Sequence, residues 1–225
     1  MVKTFDFKLF SSITIGFVFF TIIGTLSHEL GHCAAAKYLG MTDIQIHYGS
    51  MDYDNPNDSY QEKMYALHEE EIKHNKDFSE KEAYEKLRSD IERNDFIITA
   101  SGPIQSMITG TIGLLLLIFY GERFKTNQKI KFMGWILVFL SLFGLRQSAN
   151  FMTRFIKFMF NGKWGHSDEI RLAHYLHIPP YSISLITGVM GFLVLVGVSI
   201  FYIPRNDLKI FISGGLVGGI SGYLI

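Results

Sequence analysis

The chain has 225 residues, 48% of them hydrophobic and 15% aromatic, with 21 basic side chains against 21 acidic ones. Zero net charge removes the electrostatic case for nucleic acid, which calls for a basic face. A single cysteine excludes an internal disulfide and a multi-cysteine zinc cluster. The charges are unevenly spread: residues 43–95 hold 7 basic and 15 acidic side chains, leaving a charge-poor remainder with an excess of eight positives. With a mean hydropathy of +0.20 over the whole chain, so charge-poor a remainder points to lipid.

A membrane-crossing helix needs about 20 predominantly apolar residues. Leu9–Ser27 supplies 19 without a charge. It is longer than the apolar core of a secretory signal and no small-residue cleavage pattern follows, so it reads as an uncleaved membrane helix. Beyond His28-Glu29-Leu30-Gly31-His32, Asp43–Gly49 alternates Ile44, Ile46 and Tyr48 with Gln45 and His47, the period of a short strand. Asn55-Pro56-Asn57-Asp58 marks a turn. Two amphipathic helices follow. Tyr60, Met64 and Leu67 share a face of the first; Ala83, Leu87 and Ile91 share a face of the second, behind a Ser79…Glu82 capping box. Residues 43–95 are thus an extramembrane insertion, a strand plus a small acidic helical hairpin.

Phe96–Gly121, with 26 uncharged residues, is the second span. Phe132–Leu145 gives only 14 before Arg146, but apolar character resumes through Met152 and predicts a polar-studded third span. Residues 151–177 form a juxtamembrane segment. Phe151, Arg154, Phe155, Lys157 and Phe158 suit an interfacial helix; Asn161–Gly165 breaks it, and Ser167-Asp168-Glu169 opens a new short helix. Ile178–Pro204, 27 uncharged residues, is the fourth span. Ile210–Ile225 is a short fifth, whose Gly214, Gly218 and Gly222 make a smooth ridge for close helix approach. The expected fold is one all-α membrane domain over 1–225: a bundle of four to five transmembrane helices with a short strand element and the extramembrane hairpin.

His28-Glu29-Leu30-Gly31-His32 carries the chemistry. Residues four apart share a helix face, so His28 and His32 can present imidazoles to one metal ion. Glu29 is then placed to take a proton from a water activated by zinc, and to pass it to a leaving amine. The alternative, solvated side chains at a helix end, fits poorly with 19 apolar residues before the motif and Cys33-Ala34-Ala35-Ala36 after it. Charged groups at the centre of a membrane helix cost roughly 2.5–3.5 kcal/mol each and mark function by default. Catalytic zinc usually has three protein ligands and an open position. Asp168 is the candidate third ligand, with His166, Glu169 and His174 as rivals and an ordinary helix start as the plain alternative.

The motif followed by Ala34-Ala35-Ala36-Lys37-Tyr38-Leu39-Gly40 resembles the first signature of the site-2 protease family of intramembrane zinc metalloproteases. A short strand follows in that family, as Ile44–Tyr48 could here. Its next span carries Ala-Gly-Pro with an asparagine three residues after the proline, and Ala100-Ser101-Gly102-Pro103-Ile104-Gln105-Ser106 is similar in place and kind. Its third signature is an aspartate completing the zinc site, which Ser167-Asp168 matches. This chain departs from the pattern at Ser106, in the asparagine's place, and at Glu169, where the family has glycine. The resemblance implies one Zn2+ per chain, held by His28, His32 and Asp168, with Glu29 as catalytic base. It also implies a catalytic centre toward the cytoplasmic side. Lys3, Lys8 and the Arg123–Lys131 loop oppose Arg154, Lys157 and Lys163 almost evenly, so the charge rule sets no orientation.

The expected activity is zinc-dependent endopeptidase cleavage in or near the transmembrane segment of a membrane-anchored polypeptide. Gly102-Pro103 weakens the second span where freed backbone groups must face protein or water, though a plain packing kink would serve as well. Gln105 or Asn150 can donate to substrate or oxyanion, and Asp43–Gly49, with Ile46 at its centre, offers an edge for an extended substrate. Two readings compete: a prenyl-processing type of membrane zinc peptidase, which takes a glutamate as third ligand, and an inactive membrane scaffold or binding protein that keeps the zinc.

Overall fold

The computed structural model describes residues 5–126 and 129–224; Lys3 and Ile225, weighed above, lie outside the described residues. Helix α1 (Phe7–Tyr38) starts where the Asp6 carboxylate accepts from the Leu9 amide (3.0 Å). It runs 32 residues, about 48 Å at helical rise, straight through the histidine motif. One stripe is buried, Thr25, His28, Glu29, His32 and Ala36 among it, while Ile15, Phe19, Ile23, Leu26 and Leu30 face outward.

The expected strand pairs with a second one. Strands β1 (Thr42–His47) and β2 (Ser50–Asp54) form an antiparallel hairpin with Ile46 opposite Met51. They turn at Tyr48-Gly49, where Gly49 (φ +83°) takes a left-handed conformation that costs little without a Cβ. Ile44, Met51 and Tyr53 pack on Ala36, Met41 and Ile98. The Tyr48 hydroxyl donates to the Gly222 carbonyl (2.6 Å), and that of Tyr53 to Asp95 Oδ1 (2.8 Å).

The acidic insertion differs from the expected hairpin. Helices α2 (Asp58–Leu67) and α3 (Glu69–Lys73) are short. Of the expected apolar face of α2 only Met64 is buried; Tyr60 and Leu67 are exposed. The second amphipathic helix and the second span are one helix, α4 (Lys81–Tyr120), 40 residues long. No capping box forms at its start: Ser79 bonds to the Glu80 side chain, and the cap at Glu80 makes no side-chain bond. Tyr84 rather than Ala83 is the buried anchor of its first turns. The helix also continues unbroken through Pro103.

After a 3₁₀ turn (Gly121–Phe124) and a minimal hairpin, β3 (Lys125–Thr126) with β4 (Lys129–Ile130), comes α5 (Phe132–Ser141). The chain then bends by 46° into α6 (Leu145–Asn161). Arg146, Gln147 and Asn150 therefore lie on α6, past the bend. Helices α7 (Asp168–Tyr175), α8 (Ser182–Phe201) and α9 (Leu208–Leu224) complete the chain.

Three helices, α1, α4 and α8, are long and apolar enough to cross a membrane, and α5 with α6 makes a fourth if the bent pair is one span. Helix α9, at 17 residues, falls short of that length. Its glycines do form the expected ridge: a Cβ on Gly218 would strike the Thr14 carbonyl and approach Phe17 Cβ to 2.7 Å, and one on Gly222 would meet Thr21 Cβ at 2.7 Å. Helix α9 thus lies backbone-close on α1. The main core joins Phe17 of α1 with Leu117 of α4, Val138 and Phe139 of α5, Val198 of α8 and Phe211 of α9.

Candidate metal centre

Within α1, the spacing of four turns His28 and His32 onto one face, with ring centroids 4.8 Å apart. Both are buried, at 1% and 6% exposure, and Glu29 between them at 3%. The third group arrives from 140 residues away. Gly162 (φ +66°) ends α6 in the left-handed conformation and lets the chain reverse. Trp164 then stacks on Phe158 (centroids 4.7 Å) and against Tyr181 (5.5 Å), pinning the connection down. Ser167 caps α7 as expected, its hydroxyl accepting from the Ile170 amide, and Asp168 becomes the first residue of that helix.

Asp168 Oδ2 lies 3.0 Å from His28 Nε2 and 3.3 Å from His32 Nε2. One ligand atom from each of the three residues lies within 4.8 Å of the others, close enough to hold a metal ion. The donor set suits zinc: with metal–ligand bonds of about 2.0–2.2 Å, tetrahedral geometry sets neighbouring ligand atoms about 3.3 Å apart. Burial works to raise the Asp168 carboxyl, but its hydrogen bonds to both imidazoles prevail and hold it well below the usual carboxylate range.

The far side of each imidazole is also held. His32 Nδ1–H donates to the Ile98 carbonyl (2.6 Å), and His28 Nδ1 bonds with Ser106 Oγ (3.0 Å). Such outer contacts fix ring orientation and leave each Nε2 free to face the ion. Both come from α4, where the Ile98 carbonyl also accepts from Ser101 Oγ (2.5 Å). Gly102 makes the room. A Cβ there would clash with His32 Nε2, and would lie 2.5 Å from His32 Cε1 and 2.8 Å from His28 Nε2. Where the helices cross, a Cβ on Gly31 would come within 2.9 Å of the Ser101 carbonyl.

No family model, curated protein or solved structure matches this chain.

Of the residues expected at the site, His28, His32 and Asp168 converge, and Glu29 lies beside them with Oε1 3.4 Å from Arg146 Nη2. Gly102 lies against the imidazoles, and Pro103 is buried next to it in α4. Gln105 is engaged elsewhere: its amide nitrogen donates to Ser27 Oγ and to Thr109 Oγ1 (3.1 Å), clasping α4 to α1. Asn150 sits on α6, one turn beyond Arg146. Ile46 is 44% exposed on β1, and among the described residues no strand pairs with the other edge of that strand. His166 and His174 are exposed, and Glu169 is buried outside the ligand group.

Sequence reasoning missed three partners: Ser106 for His28, the Ile98 carbonyl for His32, and Arg146 for Glu29. Ser106 had a signal in its place three residues after Pro103, and Arg146 in its polar cluster with Gln147 and Asn150. The centre lies five residues before Lys37 on α1 and seven after Asp95 on α4, about 8 and 10 Å along the two axes.

Proposed function

We propose that the chain is a zinc-dependent intramembrane endopeptidase of the site-2 protease kind, cutting membrane-anchored polypeptides in or near their transmembrane segments. The observation that carries this reading is the convergence of His28, His32 and Asp168 with a carboxylate, Glu29, beside them. The membrane setting rests on the outward faces of α1, α4 and α8, where Phe19, Ile108, Ile112, Phe119, Phe192 and Leu193 are all more than half exposed. With Asp95 and Lys37 near the headgroups, a centre about 8–10 Å along each helix lies below the surface of a bilayer. The resemblance orients it toward the cytoplasmic side.

Bound by the three ligands, zinc would supply Lewis acidity, bringing the pKa of water to about 7 and polarising a carbonyl. The rest falls to the protein. Glu29 takes the proton of the attacking water and returns it to the departing amine. His28 and His32, held through Nδ1, keep their Nε2 atoms aimed at one point. The free edge of β1, with Ile46, takes the substrate as an added strand, which unwinds it for attack.

Asp168 rather than Glu169 joins the ligand group, which favours this reading over the prenyl-processing type. A metal-holding protein without turnover is the second reading; the engagement of Glu29 by Arg146 is the observation in its favour. One experiment separates them. Purified protein is incubated with a transmembrane reporter, with and without chelator, beside Glu29→Gln. Chelator-sensitive cleavage, lost in a Glu29→Gln variant that still holds one zinc, supports the peptidase. Zinc binding with no cleavage by the wild type leaves the binding protein.

A further inference from the structure

Peptide hydrolysis also needs a donor for the charge that develops on the carbonyl oxygen, and the groups nearest by sequence are taken. Ser106, in the place of the family's asparagine, is turned to His28, and the Gln105 amide nitrogen to Ser27 and Thr109. Arg146 is placed otherwise. Its Nη2 lies 3.4 Å from Glu29 Oε1, while Nε and Nη1, closed off from solvent, have no hydrogen-bond partner among the described residues. Serving as counter-ion to a buried carboxylate accounts for Nη2 alone. An unpaired buried donor carries an uncompensated desolvation penalty, and an active centre is where a fold carries that penalty until a ligand relieves it. Gln147, the next residue, is also fully buried with neither amide atom partnered.

We propose that Arg146 is a catalytic residue of this centre, its Nη1 donating to the scissile carbonyl oxygen while Nη2 holds Glu29. The inference rests on the peptidase reading. The water oxygen bonds to the carbonyl carbon as its proton passes to Glu29. The carbonyl π pair moves onto oxygen, where Arg146 Nη1–H receives the charge. That pair returns as the C–N bond breaks, and the proton leaves on the amine. Nε and Nη1 have no exposed surface, so a substrate carbonyl meets them only after Arg146 is uncovered; the bend between α5 and α6 ends at Gly144, two residues before it.

The test uses Arg146→Met and Arg146→Lys in the zinc-loaded full chain, with a transmembrane reporter for turnover. A hydrophobic phosphinic pseudopeptide and its plain amide analogue are the binding probes, read by calorimetry. Removing an oxyanion donor lowers kcat about 10²–10³-fold; KM should hold, zinc should stay at one per chain, and phosphinic affinity should fall by a similar factor while amide affinity does not. Lysine keeps a charge near Glu29 but lacks the fork, so Arg146→Lys should share most of the loss. Free guanidinium should partly restore Arg146→Met. Equal weakening of both probes, an unchanged kcat, or zinc loss in both variants would overturn the assignment. A wild type that fails to cleave, or a Glu29→Gln variant that does cleave, removes the peptidase reading instead.

Discussion

Gly102→Ala gives the sharpest test of the centre. The added methyl carbon would lie 2.5 Å from His32 Cε1 and 2.8 Å from His28 Nε2, with His32 Nε2 nearer still. Carbon contacts settle at about 3.5–4.0 Å, so each ring must withdraw by about 1 Å. Metal–ligand distances tolerate about 0.2 Å, a fifth of that displacement. The loss should exceed the 10–100-fold that follows removal of an outer partner, so zinc Kd should rise by about 100-fold or more, roughly 3 kcal/mol. Zinc per chain after gel filtration and competition with a coloured chelator both read this. Gly113→Ala is the control. Its Cβ would lie 2.6 Å from the Ser141 amide nitrogen and 2.8 Å from Leu140 Cβ, remote from the imidazoles. Overpacking there should cost about 1–3 kcal/mol of stability and leave zinc affinity alone. A Gly102→Ala protein with one zinc at wild-type affinity would refute the reasoning. So would equal zinc loss in both variants, which would trace the effect to general loosening of helix packing.

Three further outcomes follow from the same geometry. Ser106→Ala removes the bond at His28 Nδ1 and should weaken zinc about 10–100-fold, measurable by the same competition. Asp168→Ala should lose the ion, whereas Glu169→Ala, outside the ligand group, should keep one zinc per chain; the reverse pattern would reassign the third ligand. Burial and the bond to Asp95 push the Tyr53 phenol above the ordinary tyrosine range. An absorbance titration should show one late-ionising phenol that Tyr53→Phe abolishes. Because the folded-state value is the higher one, this stabilisation is complete below about pH 10 and fades as pH climbs through the folded-state value.

The apolar runs and the His28–His32 spacing were legible because each is a local pattern: length against bilayer thickness in one case, helical pitch in the other. Asp168 stood among rivals on the residues alone and came first through the resemblance, since nothing local ties it to a helix 140 residues earlier. The merging of the acidic segment with the second span was hidden. Residues 81–95 are polar and Phe96 onward apolar, yet no helix breaker separates them, and backbone hydrogen bonding ignores that change of composition. Strand β2 escaped notice because Met51-Asp52-Tyr53-Asp54 is strong in aspartate, a poor strand former, and gains its place from packing on Ala36 and Ile98. The Arg146–Glu29 pair was unreadable because it depends on the 46° bend that starts α6.

The distance along the chain between the ligands has a consequence for assembly. An ion joining His28 to Asp168 would tie a loop of about 140 residues, and a cross-link over so long a loop removes more freedom from the unfolded chain than a local clasp does. During synthesis the two histidines emerge early and wait while α4, α5 and α6 are laid down. The centre closes only once α7 has been made, so a chain truncated before residue 168 is left with two of the three ligands.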